Sequence, residues 1–428
     1  MSNRFVAALA CLFLGASMAI GQTPQPEPGP APQTVQPVVF NNLWDELQCT
    51  CHEMCDHCAS GVFTVDVEYL LWWIGNSKDN NVVAANNILT APGVSVLTAI
   101  GDAEHAKKSP ISGARFALGY WETINSPWIP GGIRDFGGEA VFFFIGQKGL
   151  TLRNDQSTNL VRPFFDLNNR QESGWVVAAP GIASGVINAR AQASLWGAEA
   201  NVWKNIYFNY PGTQSEVALM AGLRFLSADG LIQVGSTAFY DPNLDPASPF
   251  FPFAGSRINV LDTFATHNRF YGGQVGVSTK LWTMQKICIE GAFKLALGAT
   301  SEDVNISGNQ FRTFPNQTTA TYNGGLLALP SNIGNFHNDI FAQVPEVDFK
   351  VSCLVTDHIT LETGFSALYW NRIVRPGQQI DREIDITQIP NFPVPPGTIP
   401  TGLARPGVPF RQSDLWELGI SLGLEYKW

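Results

Sequence analysis

The last sixteen residues of the chain, Ser413 to Trp428, decide its fold, and they read S-D-L-W-E-L-G-I-S-L-G-L-E-Y-K-W. From Trp416 onward every even position is large and apolar, and every odd position is polar or small. An alternation with a period of two indicates a β-strand with one apolar and one polar face. Seven apolar residues on one face, ending on a terminal aromatic, are typical of a strand that crosses a membrane with its polar face toward a lumen.

The composition agrees with a barrel built from such strands. Of 428 residues, 14% are charged and 11% are aromatic. Beyond the N-terminus no run of 18 or more residues is apolar, so membrane-spanning helices are not predicted. A mean hydropathy of +0.02 fits a barrel, because alternation hides the apolar face. The net charge of −10 argues against nucleic acid as a partner.

The N-terminal region predicts export. Residues 1–21 have the order of a secretory signal peptide: Arg4, then an apolar run from Phe5 to Ile20, then small residues before the expected cleavage point. Residues 22–39 are rich in proline and are predicted to form an extended, disordered linker. We therefore expect residues 62–428 to form the membrane domain after signal-peptide export.

Residues 40–61 form a cysteine-rich segment that we expect in the periplasm. Its candidate metal ligands are Cys49, Cys51, Cys55 and Cys58, with His52 and His57 between them. Two local disulfides are favoured in an oxidising compartment. A zinc site is the alternative, because thiolates and imidazoles are its usual ligands. No cofactor is predicted.

Nine further segments carry the same alternation, which predicts ten spanning strands in all. The expected connections alternate in length: long ones near 75–111, 148–188, 227–262, 299–337 and 371–412, and short ones near 125–134, 209–214, 284–286 and 355–357. Such barrels have long extracellular loops and short periplasmic turns. The sequence therefore predicts an all-β, antiparallel, up-and-down transmembrane β-barrel of about ten strands. The number rises to twelve if residues 149–153 and 231–240 pair as additional strands.

Nearly every predicted strand places charge on its lumen face. The lumen-facing charged residues are predicted to be Asp66, Glu68, Arg115, Glu139, Glu199, Glu216, Arg224, Lys280, Glu290, Lys294, Glu346, Asp348, Lys350, Glu362, Glu417 and Glu425. They could line a polar channel. The alternative is a ladder of internal salt bridges that fills a narrow barrel. Inward tryptophans favour filling, and they are Trp72, Trp121, Trp282 and Trp370.

Five short motifs follow one another along the barrel region: Glu68-Tyr-Leu-Leu-Trp-Trp73, Gly113-x-Arg115-x-x-x-Gly119-Tyr120-Trp121, Gly138-Glu139-Ala-Val-Phe-Phe-Phe144, Leu195-Trp-Gly-Ala-Glu199-x-Asn201 and Gly222-Leu-Arg224-Phe225. In these motifs the chain resembles the β-barrel porin family of planctomycete-type bacteria known as the "BBP seven" group. The likeness runs in order from residue 61 to residue 428. It implies an outer-membrane barrel, and it brings no established substrate and no catalytic residues.

Three functions are compatible with these features. A porin-like barrel would pass small polar solutes through a narrow charged lumen, and a non-conducting barrel would use its long loops for structure or adhesion. The remote alternative is a hydrolase, in which Asp262 with His267, or His337 with Asp339, would activate water at the rim. Spacing this loose is common by chance, so we expect no enzyme. The expected partners are outer-membrane lipid and the barrel-assembly machinery, because a C-terminal strand that ends in an aromatic resembles the insertion signal of outer-membrane barrels.

Overall fold

A computed structural model describes residues 62–75, 82–84, 98–99, 110–125, 133–154, 159–210, 213–284, 287–394 and 397–428. The predicted signal peptide, the proline-rich linker and the segment with Cys49, Cys51, Cys55 and Cys58 lie outside these residues. No helix in the described part of the chain is long and apolar enough to span a membrane.

Sixteen strands are described, and we number them in chain order. They are β1 (Val62–Ile74), β2 (Val82–Ala84), β3 (Thr98–Ala99), β4 (Ile111–Asn125), β5 (Ile133–Asn154), β6 (Leu160–Asp166), β7 (Gln171–Ala178), β8 (Ala183–Tyr210), β9 (Thr213–Tyr240), β10 (Arg257–Met284), β11 (Ile287–Thr313), β12 (Thr319–Asn323), β13 (Gly334–Thr356), β14 (Ile359–Val374), β15 (Glu383–Ile384) and β16 (Gln412–Lys427). Single 3-10 turns occur at Phe251–Phe253, Pro376–Gln379 and Ile386–Gln388.

Ten of these strands form a closed ring. They pair antiparallel in the order β1, β4, β5, β8, β9, β10, β11, β13, β14 and β16, and β16 pairs back onto β1. Closure removes the unpaired edges that an open sheet would expose. The predicted up-and-down barrel of about ten strands is confirmed.

The C-terminal strand closes the ring at the end where the short turns lie. Phe63 and Trp428 exchange two backbone hydrogen bonds of 3.1 Å. Their rings stack with centroids 5.7 Å apart, and the ring of Tyr426 stacks on that of Trp428 with centroids 5.8 Å apart. The terminal aromatic is therefore part of an aromatic cluster at the rim, as expected where a barrel meets the lipid–water boundary.

The outer wall carries one apolar band. On β16 the outward residues Trp416, Leu418 and Leu422 expose 56%, 47% and 57% of their surface. On β10 the exposed outward residues nearer the short turn include the apolar Tyr271, whereas the next outward residue away from that turn is the charged Arg269. A barrel strand needs only about 9–11 residues to cross a bilayer, which matches the apolar part of β10.

The strands continue far beyond this band. Strands β8 to β11 contain 27 or 28 residues each, so about half of each strand stands above the membrane. The predicted loops at 227–262 and 299–337 are wrong in this respect, because much of each is barrel wall. Residues 149–153 and 231–240 are not additional strands but the upper parts of β5 and β9, and the ring stays at ten.

The part of the wall above the apolar band encloses a hydrophobic core. Inward residues of β9 and β10, such as Ile232, Val234 and Phe264, are at most 1% exposed. They pack against Phe164 of the β6–β7 hairpin and against Ile384 of β15, which pairs with β6. The connections thus fold back into the top of the barrel, and we call this group of side chains the upper core.

Candidate functional site: the filled lumen

Below the upper core the lumen holds a connected ionic layer. Four cations and six carboxylates form it: Arg115, Arg224, Lys294 and Lys350 with Asp66, Glu68, Glu199, Glu346, Asp348 and Glu362. They come from seven strands and meet because register places each on the lumen face. Burying so many charges is tolerable only because each cation contacts at least one carboxylate.

Arg224 on β9 is the centre of one half of the layer. Its guanidinium is 1% exposed, bonds the Glu346 carboxylate directly, and lies 3.5 Å from Glu199. Lys294 lies 3.5 Å from both of these carboxylates and 3.7 Å from Asp348. Two cations thus share two glutamates across the lumen, which ties β8, β9, β11 and β13 together.

Lys350 on β13 is the centre of the other half. Its ammonium lies 3.1 Å from Asp66, 3.4 Å from Glu68 and 2.6 Å from Glu362. These three carboxylates are close enough to one another to hold a metal ion. The Lys350 ammonium already supplies the positive charge there, so the arrangement is an ion-pair cluster. Arg115 joins the two halves, at 3.5 Å from Glu68 and 4.0 Å from Glu346.

The remaining predicted lumen charges lie on the same face of the wall but outside this network. Glu139 accepts a hydrogen bond from the indole of Trp203 at 3.0 Å. The carboxylate of Glu290 is hydrogen-bonded by the hydroxyl of Ser278. Glu425 pairs with Lys427 at 2.8 Å. Register puts Glu216 and Lys280 on lumen-facing positions, opposite Tyr207 and Glu290, while their side chains lie outside the described part of the chain. Glu417 is treated separately below.

An apolar layer closes the lumen between the ionic layer and the upper core. Its largest members are Trp72, Phe143, Phe270 and Trp370, all at most 2% exposed. Trp72 and Phe143 lie 5.5 Å apart, and Phe270 and Trp370 lie 6.1 Å apart. The indole of Trp370 donates a 2.9 Å hydrogen bond to Thr300, which fixes the ring across the lumen. Of the other inward tryptophans predicted, Trp121 is half-buried and the side chain of Trp282 is not described.

The upper core is attached to the wall through Asp262 on β10. This carboxylate is 0% exposed and accepts backbone hydrogen bonds from Leu326, Leu327 and Ala328 at 2.8–3.1 Å. Arg162 of β6 donates to its other oxygen at 2.5 Å. Asp262 therefore faces inward, whereas His267 faces outward and contacts Asp229 at 2.7 Å. The hypothesised Asp262–His267 pair is not formed.

A row of alternating aspartates and histidines runs along the outer wall above the apolar band. Asp229, His267, Asp303 and His337 are direct neighbours across β9, β10, β11 and β13. His337 lies 2.8 Å from Asp303 and 3.4 Å from Asp339, so the hypothesised His337–Asp339 pair is formed. Both side chains are more than half exposed on the outward face of β13, and His337 also lines an open depression of the surface.

These contacts predict a measurable shift at His337. Its hydrogen bonds to Asp303 and then to Asp339 raise the pKa of the imidazole above its ordinary value. Replacing Asp303 with asparagine is expected to lower that pKa, as followed by NMR titration of the histidine ring. Because the folded-state pKa is raised, the stabilising contact is complete at acidic pH and is lost as pH rises through the pKa of His337.

Asp229→Asn is the matched control for the same titration. Asp229 contacts His267 and not His337, so this variant should leave the pKa of His337 unchanged. An unchanged His337 pKa in Asp303→Asn would contradict the assignment of the contact.

Comparison with known proteins places this ring in a family. Residues 65–428 match the family model described as "Putative beta barrel porin-7 (BBP7)". The chain belongs to this family. With the closed ring of ten strands, the BBP7 match makes the chain a porin-like β-barrel of the bacterial outer membrane.

Three solved structures show some likeness to the BBP7 barrel. The outer membrane protease OmpT from Escherichia coli is 10% identical, with 87% of this chain and 98% of that chain covered and a TM-score of 0.31. OprB of Pseudomonas putida is 9% identical, with 88% and 96% covered and a TM-score of 0.19. The Pseudomonas putida toluene transporter TodX is 6% identical, with 86% and 89% covered and a TM-score of 0.19. Similarity this low carries no argument about function. Comparison with curated proteins gives no match.

Proposed function

We propose that this chain is a closed, non-conducting outer-membrane barrel whose folded extracellular extension serves a structural or adhesive role at the cell surface. The observation that carries the proposal is the apolar layer. Trp72, Phe143 and Trp370 project into the lumen from three different strands, and all are at most 2% exposed. A water-filled path would have to displace these side chains, and hydrated ions do not cross an apolar constriction that excludes water.

Two further levels of packing support closure. Beneath the apolar layer, the cations and carboxylates of the ionic layer form ion pairs with one another. Above it, the upper core holds loop residues such as Leu326 and Leu329 at 0% exposure. Barrels of about eight strands are filled by side chains, and this ten-stranded ring is close to that size.

The second candidate function is passage of small polar solutes through a narrow charged lumen. The observation in its favour is the presence of both signs of charge along the lumen face, together with the porin description of the family. Passage of solutes would require the apolar layer and the upper core to move aside. The conducting state would therefore be a separate, gated conformation of the barrel.

An enzymatic role is not part of the proposal. The His337–Asp339 pair is more than half exposed on the outward face of β13, and the buried carboxylate of Asp262 is fully engaged in holding the loop at 326–328. We further propose that the chain is exported by its signal peptide, that the barrel-assembly machinery inserts it through the strand ending in Trp428, and that lipid covers its apolar band.

Planar-bilayer recording tests the closed state. Purified, refolded protein is expected to give no stepwise current, because three levels of side chains obstruct the lumen. The double variant Trp72→Ala and Trp370→Ala removes the widest obstructions of one of these three levels, so it should open more readily and give brief conductance steps where the unmodified protein gives none. Heat-modifiable gel mobility establishes that each sample is a folded barrel.

Trp416→Ala removes an equally large side chain from the outward face of β16 and is the matched control, expected to remain silent. Stepwise currents from the unmodified protein would refute the closed barrel and favour the solute-passing alternative.

A further inference from the structure

A cavity of about 160 Å³ lies in the lumen between the apolar layer and the upper core. Its walls are mostly apolar and include Ile74, Leu195, Ile373 and Leu415. A cavity of about 150 Å³ lined by such side chains is large enough to hold a benzene molecule. This space is therefore large enough for one small organic molecule.

Glu417 gives the cavity its chemistry. It lies on the lumen face of β16, lines the cavity and is 1% exposed. Neither of its carboxylate oxygens has a hydrogen-bond partner, and the buried hydroxyl of Thr266 on the same cavity also lacks one. Every other carboxylate of comparable burial in the described lumen contacts a cation or a donor group. A buried carboxylate without partners is costly, so this position is suited to receive a donor from outside the chain.

The cations near Glu417 are Arg224 and Arg375, and neither donates a hydrogen bond to its carboxylate. Arg375 also lines the cavity, but its two terminal nitrogens donate to the carbonyls of Gly75 and Asp414 at 3.1 and 3.0 Å. The guanidinium thereby joins β1, β14 and β16 at the rim. Asn268 is likewise engaged, since its amide bonds the backbone of Val374 in both directions at 2.8–2.9 Å.

We propose that this cavity binds a small organic cation, whose ammonium group meets Glu417 and whose apolar body fills the space against Leu195, Ile373 and Leu415. The ligand class is an alkyl- or arylammonium ion with on the order of eight non-hydrogen atoms, by comparison with benzene in a cavity of similar volume. The Thr266 hydroxyl can accept a second hydrogen bond from the same ammonium. The proposal concerns a binding site within the lumen and is independent of whether the barrel ever conducts.

Benzylammonium is a suitable probe, with benzyl alcohol as its neutral analogue of nearly the same shape. Full-length protein is refolded in detergent with each compound present, and binding is measured by calorimetry and by the shift in thermal midpoint. We expect saturable binding of benzylammonium with one site per chain, and binding of benzyl alcohol weaker by roughly tenfold or more, because a hydrogen bond to a charged group is the stronger kind.

Glu417→Gln keeps the size of the side chain and removes its charge. It should reduce benzylammonium affinity by roughly tenfold or more and leave benzyl alcohol affinity nearly unchanged. Glu425→Gln is the matched control, since Glu425 lies on the same face of β16 but pairs with Lys427. Heat-modifiable mobility establishes that both variants are folded.

Three results would overturn the proposal: no binding of benzylammonium to the folded protein, equal binding of the amine and the alcohol, or full retention of amine binding in Glu417→Gln. The first would mean that the cavity holds water only, and the other two that Glu417 does not select the ligand.

Discussion

Arg224→Met is expected to cost the folded barrel about 3 kcal/mol or more, because removing one partner of a buried ion pair leaves the other charges uncompensated. Glu199 and Glu346 are both buried beside this guanidinium, and Lys294 would remain as their nearest cation, 3.5 Å from each. Lys294, with Arg115 farther away at 4.0 Å from Glu346, cannot compensate both glutamates and Asp348 as well. The measurement is the urea midpoint of barrel unfolding, followed by heat-modifiable mobility after refolding into detergent or lipid.

Two comparisons make this result specific to the buried pair. Arg224→Lys keeps the positive charge and should recover much of the loss. Arg269→Met removes an arginine from the outer wall, where it lies 3.8 Å from Asp303 and is 47% exposed, and should cost less than about 1 kcal/mol. Equal midpoints for Arg224→Met and Arg269→Met would show that the ionic layer does not stabilise the barrel.

The barrel itself could be predicted because its strands obey one simple rule. On β16 every large apolar residue from Trp416 to Trp428 faces outward, as the alternation indicates. The same alternation on β1, β9 and β13 places Glu68, Arg224 and Glu346 inside. Facing direction is a local property of a strand with a period of two, so it can be read from sequence without knowing the neighbours.

What lies above the membrane could not be predicted in the same way. Residues 231–240 alternate like a strand, but nothing in them distinguishes a continuing strand from an additional one. The distinction depends on the upper core, in which Ile232 packs against residues of distant connections such as Leu327 and Ile384. Those contacts span more than 90 residues of chain and have no local signature.

The ion-pair partners of the lumen charges could not be predicted from the sequence either. Arg224 and Glu346 are 122 positions apart and come from β9 and β13, strands that are not neighbours in the ring. Their contact crosses the lumen, so it depends on the diameter and tilt of the barrel. The same dependence explains why Glu417 could be assigned to the lumen face while its lack of a partner could not be foreseen.

Asp262→Ala is expected to release the upper core from the wall at a cost of about 3–5 kcal/mol, the usual range when one partner of a buried ion pair is removed. The substitution leaves Arg162, 1% exposed, without its carboxylate and deprives three backbone N–H groups at 326–328 of their acceptor. Gly325 shows how closely the loop approaches this carboxylate, since a Cβ there would lie 2.1 Å from an oxygen of Asp262.

The loss should be local, because Asp262 stands on the part of β10 above the apolar band. Hydrogen exchange is expected to accelerate at residues 324–329 and in β6, while the lower halves of β9 and β10 keep their protection and the barrel keeps its heat-modifiable mobility. Asp303→Asn, on the outward face of the adjacent β11 and 41% exposed, is the matched control and should change neither region. The double variant Arg162→Met, Asp262→Leu should be less destabilised than Asp262→Ala, because it leaves no unpaired guanidinium buried in the core. Protection at 324–329 that survives Asp262→Ala would mean that the hydrophobic contacts of Leu326 and Leu329 hold the loop without the carboxylate.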